Sequence, residues 1–166
     1  TFGDLELIPE EGKVLRGGTE VHLTKTEFRL LCELADNRGK VFSREELLDR
    51  VWEYDYFGDG RLVDVHIRRL RTKVEVELRV GIGTAWLAMR GFGAPEVLEA
   101  YARAETLCDR LGERTDLFPA LWGQWLFRAG RGEIDAARRL CVRLLALAEK
   151  FGDAGLRIQA HHAMWS

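Results

Sequence analysis

The 166-residue sequence predicts an α+β unit with a small antiparallel sheet over residues 1–75, followed by an all-α unit over residues 76–166. Three observations carry this reading. Short alternating apolar runs fill the opening stretch, two capping-box sequences each introduce apolar residues at helical spacing, and beyond Arg79 the chain reads as helices punctuated by glycine. The composition, 46% hydrophobic and 31% charged with three prolines, is that of a soluble chain able to bury a core, and excludes disordered and fibrous classes. Twenty-five basic and 27 acidic residues give a net charge of −2, so a nucleic-acid surface has to be a local patch.

Phe2, Leu5 and Leu7, then Val14, then Val21 and Leu23 form strand-like runs, separated by Glu10-Glu11-Gly12 and by Gly17-Gly18, a dipeptide suited to a tight hairpin. Thr24 with Glu27 opens a helix over Lys25–Ala35, with Phe28, Leu31, Cys32 and Ala35 expected on its buried face. Ser43 with Glu46 repeats the capping grammar, and Leu47, Leu48, Val51 and Trp52 supply the second buried stripe.

A third helix, from Arg61 to about Val74, is the most informative stretch. At about 100° per residue, Val63, Ile67, Leu70 and Val74 stack on one face, while Arg61, Val65, Arg68, Arg69 and Thr72 fall opposite, between about 140° and 240° from Val63. Residues 61–73 hold five basic residues and one acid, Asp64, whereas residues 1–75 together hold 13 basic and 16 acidic. Positive charge is concentrated on this helix. Arginine reads guanine bidentately in the major groove, valine touches a thymine methyl, and the other cations pair with phosphates.

These residues, LTKTEFRLLCELADNRGKVFSREELLDRVW followed by RLVDVHIRRLRTKVE, resemble the effector domain of OmpR/PhoB-type response regulators of two-component systems, over roughly residues 2–75. The resemblance implies a winged helix-turn-helix that binds promoter DNA, with Arg61 opening the recognition helix. It makes Val65 and Arg69 base-reading positions, and Arg61, Asp64, His66, Arg68, Arg71 and Lys73 phosphate or supporting residues. It also implies a loop meeting RNA polymerase over 53–60, carrying Glu53, Asp55 and Asp59. The family's wing hairpin is expected to be missing or degenerate, since only Arg90-Gly91-Phe92-Gly93 resembles its end, with Arg90 the candidate wing contact. The family's phosphorylatable receiver domain is not found before the first strand, so no phosphoacceptor is named.

Residues 76–90 admit two readings. As strands, Val76, Leu78 and Val80 alternate and Trp86–Arg90 returns as the wing. As a helix, Leu78, Ile82, Ala85 and Met89 line one face against the helix that follows. Gly81 and Gly83 oppose the helix by roughly 1 kcal/mol each, but covering the next helix returns roughly 1.5–3 kcal/mol per large side chain, so the helix is preferred.

Further helices are expected over Val97–Leu111, from Leu117, over Ile134–Ala148 and up to Ser166. Leu111-Gly112-Glu113 and Phe151-Gly152-Asp153 recur about forty residues apart, the period of helix-pair repeats. The segment from about Leu78, with Gly-Phe-Gly-Ala-Pro-Glu-Val, Ala-Tyr-Ala-Arg-Ala and Leu-Phe-Pro-Ala-Leu-Trp-Gly, resembles the tetratricopeptide-type region of bacterial adenylate-cyclase-like and regulatory ATPases. That resemblance implies an α-solenoid fragment of about two repeats and a surface for protein partners or self-association. Ala160, Ala163, Met164 and Trp165 are its candidate contacts.

The expected function is sequence-specific double-stranded DNA binding in transcription regulation, without enzymatic activity, cofactor or metal. No phosphate-binding glycine loop of the form Gly-x-x-x-x-Gly-Lys-Ser/Thr occurs, and the neighbours His161-His162 point in different directions on a helix. Cys32, Cys108 and Cys141 lack metal-ligand spacing and read as reduced core thiols. With no apolar run near the roughly 18 residues of a membrane span and no signal-peptide pattern, a cytoplasmic protein is expected. The alternative is a protein-interaction scaffold, or an engineered or recombined fusion with an inactive DNA module; Thr1 and Ser166 both read as cut ends.

Overall fold

Gly17 and Gly18 set the geometry of the first sheet. Both take positive φ, 53° and 83°, the left-handed pair that matches strand twist and that other side chains resist, and Arg16 pairs opposite Thr19 across them. The computed structural model describes residues 5–52, 60–112 and 117–165. In it β1 (Leu5–Ile8), β2 (Lys13–Arg16) and β3 (Thr19–Glu20) form a three-stranded antiparallel sheet in sequence order. A 3-10 turn over Pro9–Glu11 links the first two strands.

Helices α1 (Lys25–Asp36) and α2 (Arg44–Val51) both open with the full reciprocal cap. The Glu27 N–H donates to Thr24 Oγ1 at 3.3 Å and the Thr24 N–H donates to Glu27 Oε2 at 2.9 Å. The corresponding Ser43 and Glu46 bonds are 3.1 and 2.8 Å. Two N–H groups that a helix start leaves open are thereby satisfied at each end. An isolated helix needs roughly 12–15 residues to persist in water, and α2 has eight. Packing holds it: Leu47 and Val51 join Leu30, Val63 and Leu70 in a buried cluster, ringed by Leu31, Leu34, Trp52, Ile67 and Val74 among others.

The buried face of α1 differs from the expected one. Leu30 and Glu27 are buried, whereas Phe28, Leu31, Cys32 and Ala35 are half-buried. An apolar count overlooks Glu27 because a carboxylate reads as surface, yet this one has a partner inside.

The chain divides into two units, Thr1–Val74 and Glu75–Ser166. The division falls within α3 (Arg61–Arg90), which runs as one 30-residue helix. Residues 76–90 are therefore helical, and Arg90 lies at the helix end with its guanidinium 4.9 Å from the Trp86 ring centre. The assignment of Arg90 to a wing hairpin is corrected accordingly.

The face that α3 uses in the second unit also differs from the expected one. Leu78, Ala85 and Met89 are exposed and Ile82 is half-buried. The contact face is instead Val76, Val80, Gly83 and Leu87, with Val76 buried against Leu107, Cys108 and others, and Val80, Trp86 and Leu87 against Val97 and Tyr101. Gly83 is the reason. A Cβ there would stand 2.8 Å from the Tyr101 ring, so the glycine that lowers helix propensity is what admits the aromatic side chain. The Tyr101 hydroxyl completes the contact with Thr84 Oγ1 at 3.0 Å.

The remaining helices are α4 (Pro95–Leu111), α5 (Leu117–Gly130), α6 (Ile134–Phe151) and α7 (Ala154–Trp165), each packed on its sequence neighbour. Gly112 and Gly152 end α4 and α6 in the left-handed conformation. Helix α5, apolar nearly all round, buries Phe118, Leu121, Trp125 and Phe127, as a helix covered on both sides must. Ile134 is exposed, and Ala160 and Ala163 belong to the core. Those two alanines are thus corrected from surface contacts to interior residues.

Candidate nucleic-acid interface

The first four turns of α3 present two chemically opposite faces. Val63 and Leu70 are buried in the core of the first unit, with Ile67 and Val74 beside them. Arg61, Asp64, Val65, Arg68, Arg69 and Arg71 are exposed. Val65, a β-branched apolar residue 42% exposed between arginines, is what a solvated charged face does not need and a groove contact does. Thr72 is half-buried and its hydroxyl donates to the Arg68 carbonyl at 2.9 Å, inside the helix.

Asp64 is not itself an anion contact. Its two carboxylate oxygens accept from Arg44 Nε, each at 3.1 Å, which ties the start of α2 to the first turn of α3 and raises the Arg44 guanidinium above its ordinary value through that hydrogen bond and its charge. The aliphatic stem of Arg44 crosses Gly60, where a Cβ would approach it to 3.1 Å. Arg44 extends the cationic edge onto α2 and went unnamed in the sequence. Its signal there was Arg44 and Asp64 flanking the two helix starts.

His66 is half-buried, its ring edge-on to Trp52 with centres 5.3 Å apart. Burial pushes the imidazole below its ordinary value, with Glu27 acting against that shift and Arg69 with it.

Lys73 leaves the set of DNA-facing residues. It is 3% exposed, and its ammonium donates to Glu27 Oε2 at 2.9 Å and to the His22 carbonyl at 3.0 Å. An ammonium satisfied inside the first unit cannot reach a phosphate. The helical wheel carries the signal, since Lys73 falls about 80° from Val63, at the edge of the buried stripe. Arg90 belongs to the second unit, at the far end of α3. Glu53, Asp55 and Asp59 lie outside the described residues.

Among the described residues no group of three or more His, Cys, Asp or Glu side chains could hold a metal ion, and no helix is long and apolar enough to cross a membrane. Cys108 and Cys141 are buried, Cys32 is half-buried, and none of the three forms a disulfide.

Comparison with known proteins finds relatives for the first half of the chain. Residues 18–87 match the family described as "Transcriptional regulatory protein, C terminal". The chain is 54% identical over 74 residues to the transcriptional regulatory protein CseB of Streptomyces coelicolor, covering 45% of this chain and 32% of that one. It is 48% identical over 75 residues to the transcriptional regulatory protein AfsQ1 of the same organism, covering 45% and 33%. A solved structure described as "A novel family of redox sensors in the streptococci evolved from two-component response regulators" shares 40% identity over 44% of this chain and 31% of that one, with a TM-score of 0.42. The chain thus spans about a third of the length of the curated relatives it matches. Residues 18–87 are thus similar to the C-terminal domain of transcriptional regulatory proteins.

Proposed function

We propose that this domain binds double-stranded promoter DNA in a sequence-specific manner, with the first turns of α3 in the major groove. Val65 and Arg69 read base edges. Arg61, His66, Arg68 and Arg71 meet the phosphates on either side, and Asp64 orients Arg44 for the same work. The observation that carries this reading is the exposed Arg-Val-Arg face on a helix whose other face is fixed in the core. Because α3 continues as helix to Arg90, no hairpin follows the recognition turns to add a minor-groove contact, and affinity is expected below that of a module that has one. The residues from Glu53 to Gly60 are proposed to meet RNA polymerase. The second unit is proposed as a tetratricopeptide-like scaffold for a protein partner or a second copy, supported by the exposed Met164 and Trp165.

Salt-dependent duplex binding tests this reading. Each phosphate neutralised releases counterions, so log K falls with log salt with a slope of roughly −0.9 per contact. Four to six such contacts predict a slope of about −4 to −5. A salt-independent signal, or none, returns the chain to the scaffold reading.

A further inference from the structure

Nδ1 of His66 and Oε1 of Glu27, both in the first unit, are buried without a hydrogen-bond partner. Both belong to the junction of α1, α2 and α3. Glu27 is fully buried on α1, with both of its hydrogen bonds, from Thr24 and Lys73, taken by the other oxygen. His66 sits on α3 between Val65 and Ile67, against Trp52 at the end of α2. A buried acceptor without a donor costs free energy. An imidazole that takes up a proton becomes a donor at both nitrogens and a cation in the field of that carboxylate.

We propose that His66 makes DNA binding proton-linked: the chain takes up a proton on His66 as it engages a duplex, so affinity rises as pH falls. The inference rests on the DNA-binding reading above. Three charges act around the ring. Glu27 of α1 favours the imidazolium; Arg69, on α3, opposes it; Lys73, also on α3, offsets part of the Glu27 charge by pairing with it. From α2 the ring meets Trp52, which is uncharged. In the free chain this balance leaves burial dominant and the ring neutral near pH 7. Phosphates met by Arg61, Arg68 and Arg71 add negative charge beside it, which raises the proton affinity of the ring in the complex above that of the free protein. Linkage then fixes the sign. A group with the higher proton affinity in the complex strengthens binding as pH falls, by up to tenfold per pH unit, until the free protein is also protonated.

The experiment is fluorescence anisotropy of a random-sequence DNA duplex with the full chain, at constant ionic strength from about pH 8 to about pH 5.5, for the natural chain and His66→Gln. A titration of the His66 ring protons by NMR, with and without the duplex, runs alongside and needs no variant. The expected result is affinity that rises severalfold toward acid in the natural chain and stays nearly flat in His66→Gln, with the His66 midpoint moved up by DNA. Equal pH slopes in the two proteins, or a midpoint unmoved by DNA, would overturn the proposal while leaving DNA binding intact. No duplex binding at any pH would overturn the DNA-binding reading and this proposal with it.

Discussion

Lys73 on α3 donates to Glu27 on α1 across 2.9 Å, with neither side chain more than 3% exposed. This pair locks the helix that carries the candidate DNA contacts to the capping box that starts α1. Glu27 does both jobs through a single oxygen, receiving the Thr24 N–H and the Lys73 ammonium together. Removing a charge from such a pair leaves the other buried and uncompensated, whereas replacing both with apolar groups of similar volume does not.

Lys73→Ala is therefore expected to destabilise the chain by about 3–5 kcal/mol, measured by urea unfolding. The double variant Lys73→Met with Glu27→Leu is expected to recover a good part of that loss. Recovery of nothing would show that the pair matters for its hydrogen bonds to Thr24 and His22 more than for its charge.

The same carboxylate gives a pH dependence. Burial pushes Glu27 up, but the Thr24 N–H and the Lys73 ammonium outweigh it and hold the group below its ordinary value of 4.5. A carboxylate lowered in the folded state contributes stability that is present above 4.5 and lost as pH falls through the lower folded value. The natural chain is expected to lose its stability advantage over Glu27→Gln on acidification below that value, followed by urea midpoints across the range.

Two arginines on α3 are expected to behave differently on DNA. Arg69→Ala should lower specific affinity by about 1–3 kcal/mol and relax the preference at one base position. Arg71→Ala should weaken all sequences alike and reduce the salt slope by about one. Binding-site selection followed by anisotropy at several salt concentrations separates the two; unchanged binding in both variants would remove α3 from the interface.

Glycines within helices are expected to respond in opposite directions. A Cβ at Gly123 would stand 2.2 Å from the Tyr101 ring, while one at Gly81 meets nothing within 4 Å. Gly123→Ala should destabilise by about 1–3 kcal/mol through overpacking. Gly81→Ala should stabilise by up to about 1 kcal/mol through helix propensity alone. Thermal unfolding of both variants checks the pair.

Trp165 is 88% exposed on the last helix, with Met164 beside it. If this surface joins two copies, sedimentation at high concentration should show an associating species that Trp165→Glu removes. A monomer in both cases would leave the second unit to a different partner.

Local rules were legible in the sequence wherever the next few residues decide the outcome. The two capping boxes, the Gly17-Gly18 hairpin, and the buried stripe of Val63, Ile67, Leu70 and Val74 depend on spacing and on side chains within one or two turns. The cationic face of α3 follows from the same periodicity. The wheel puts Lys73 at the edge of the buried stripe, but tertiary structure decided its fate, because whether an ammonium there faces solvent or a buried carboxylate depends on a partner 46 positions away. It also decided the contact face of residues 76–90. Propensity scores Gly83 as a cost to the helix, but the fold uses the missing side chain to seat Tyr101, and packing across helices outweighs the local preference. The clamp between Arg44 and Asp64 was hidden for the same reason: each residue reads as an ordinary exposed charge until α2 and α3 are brought together.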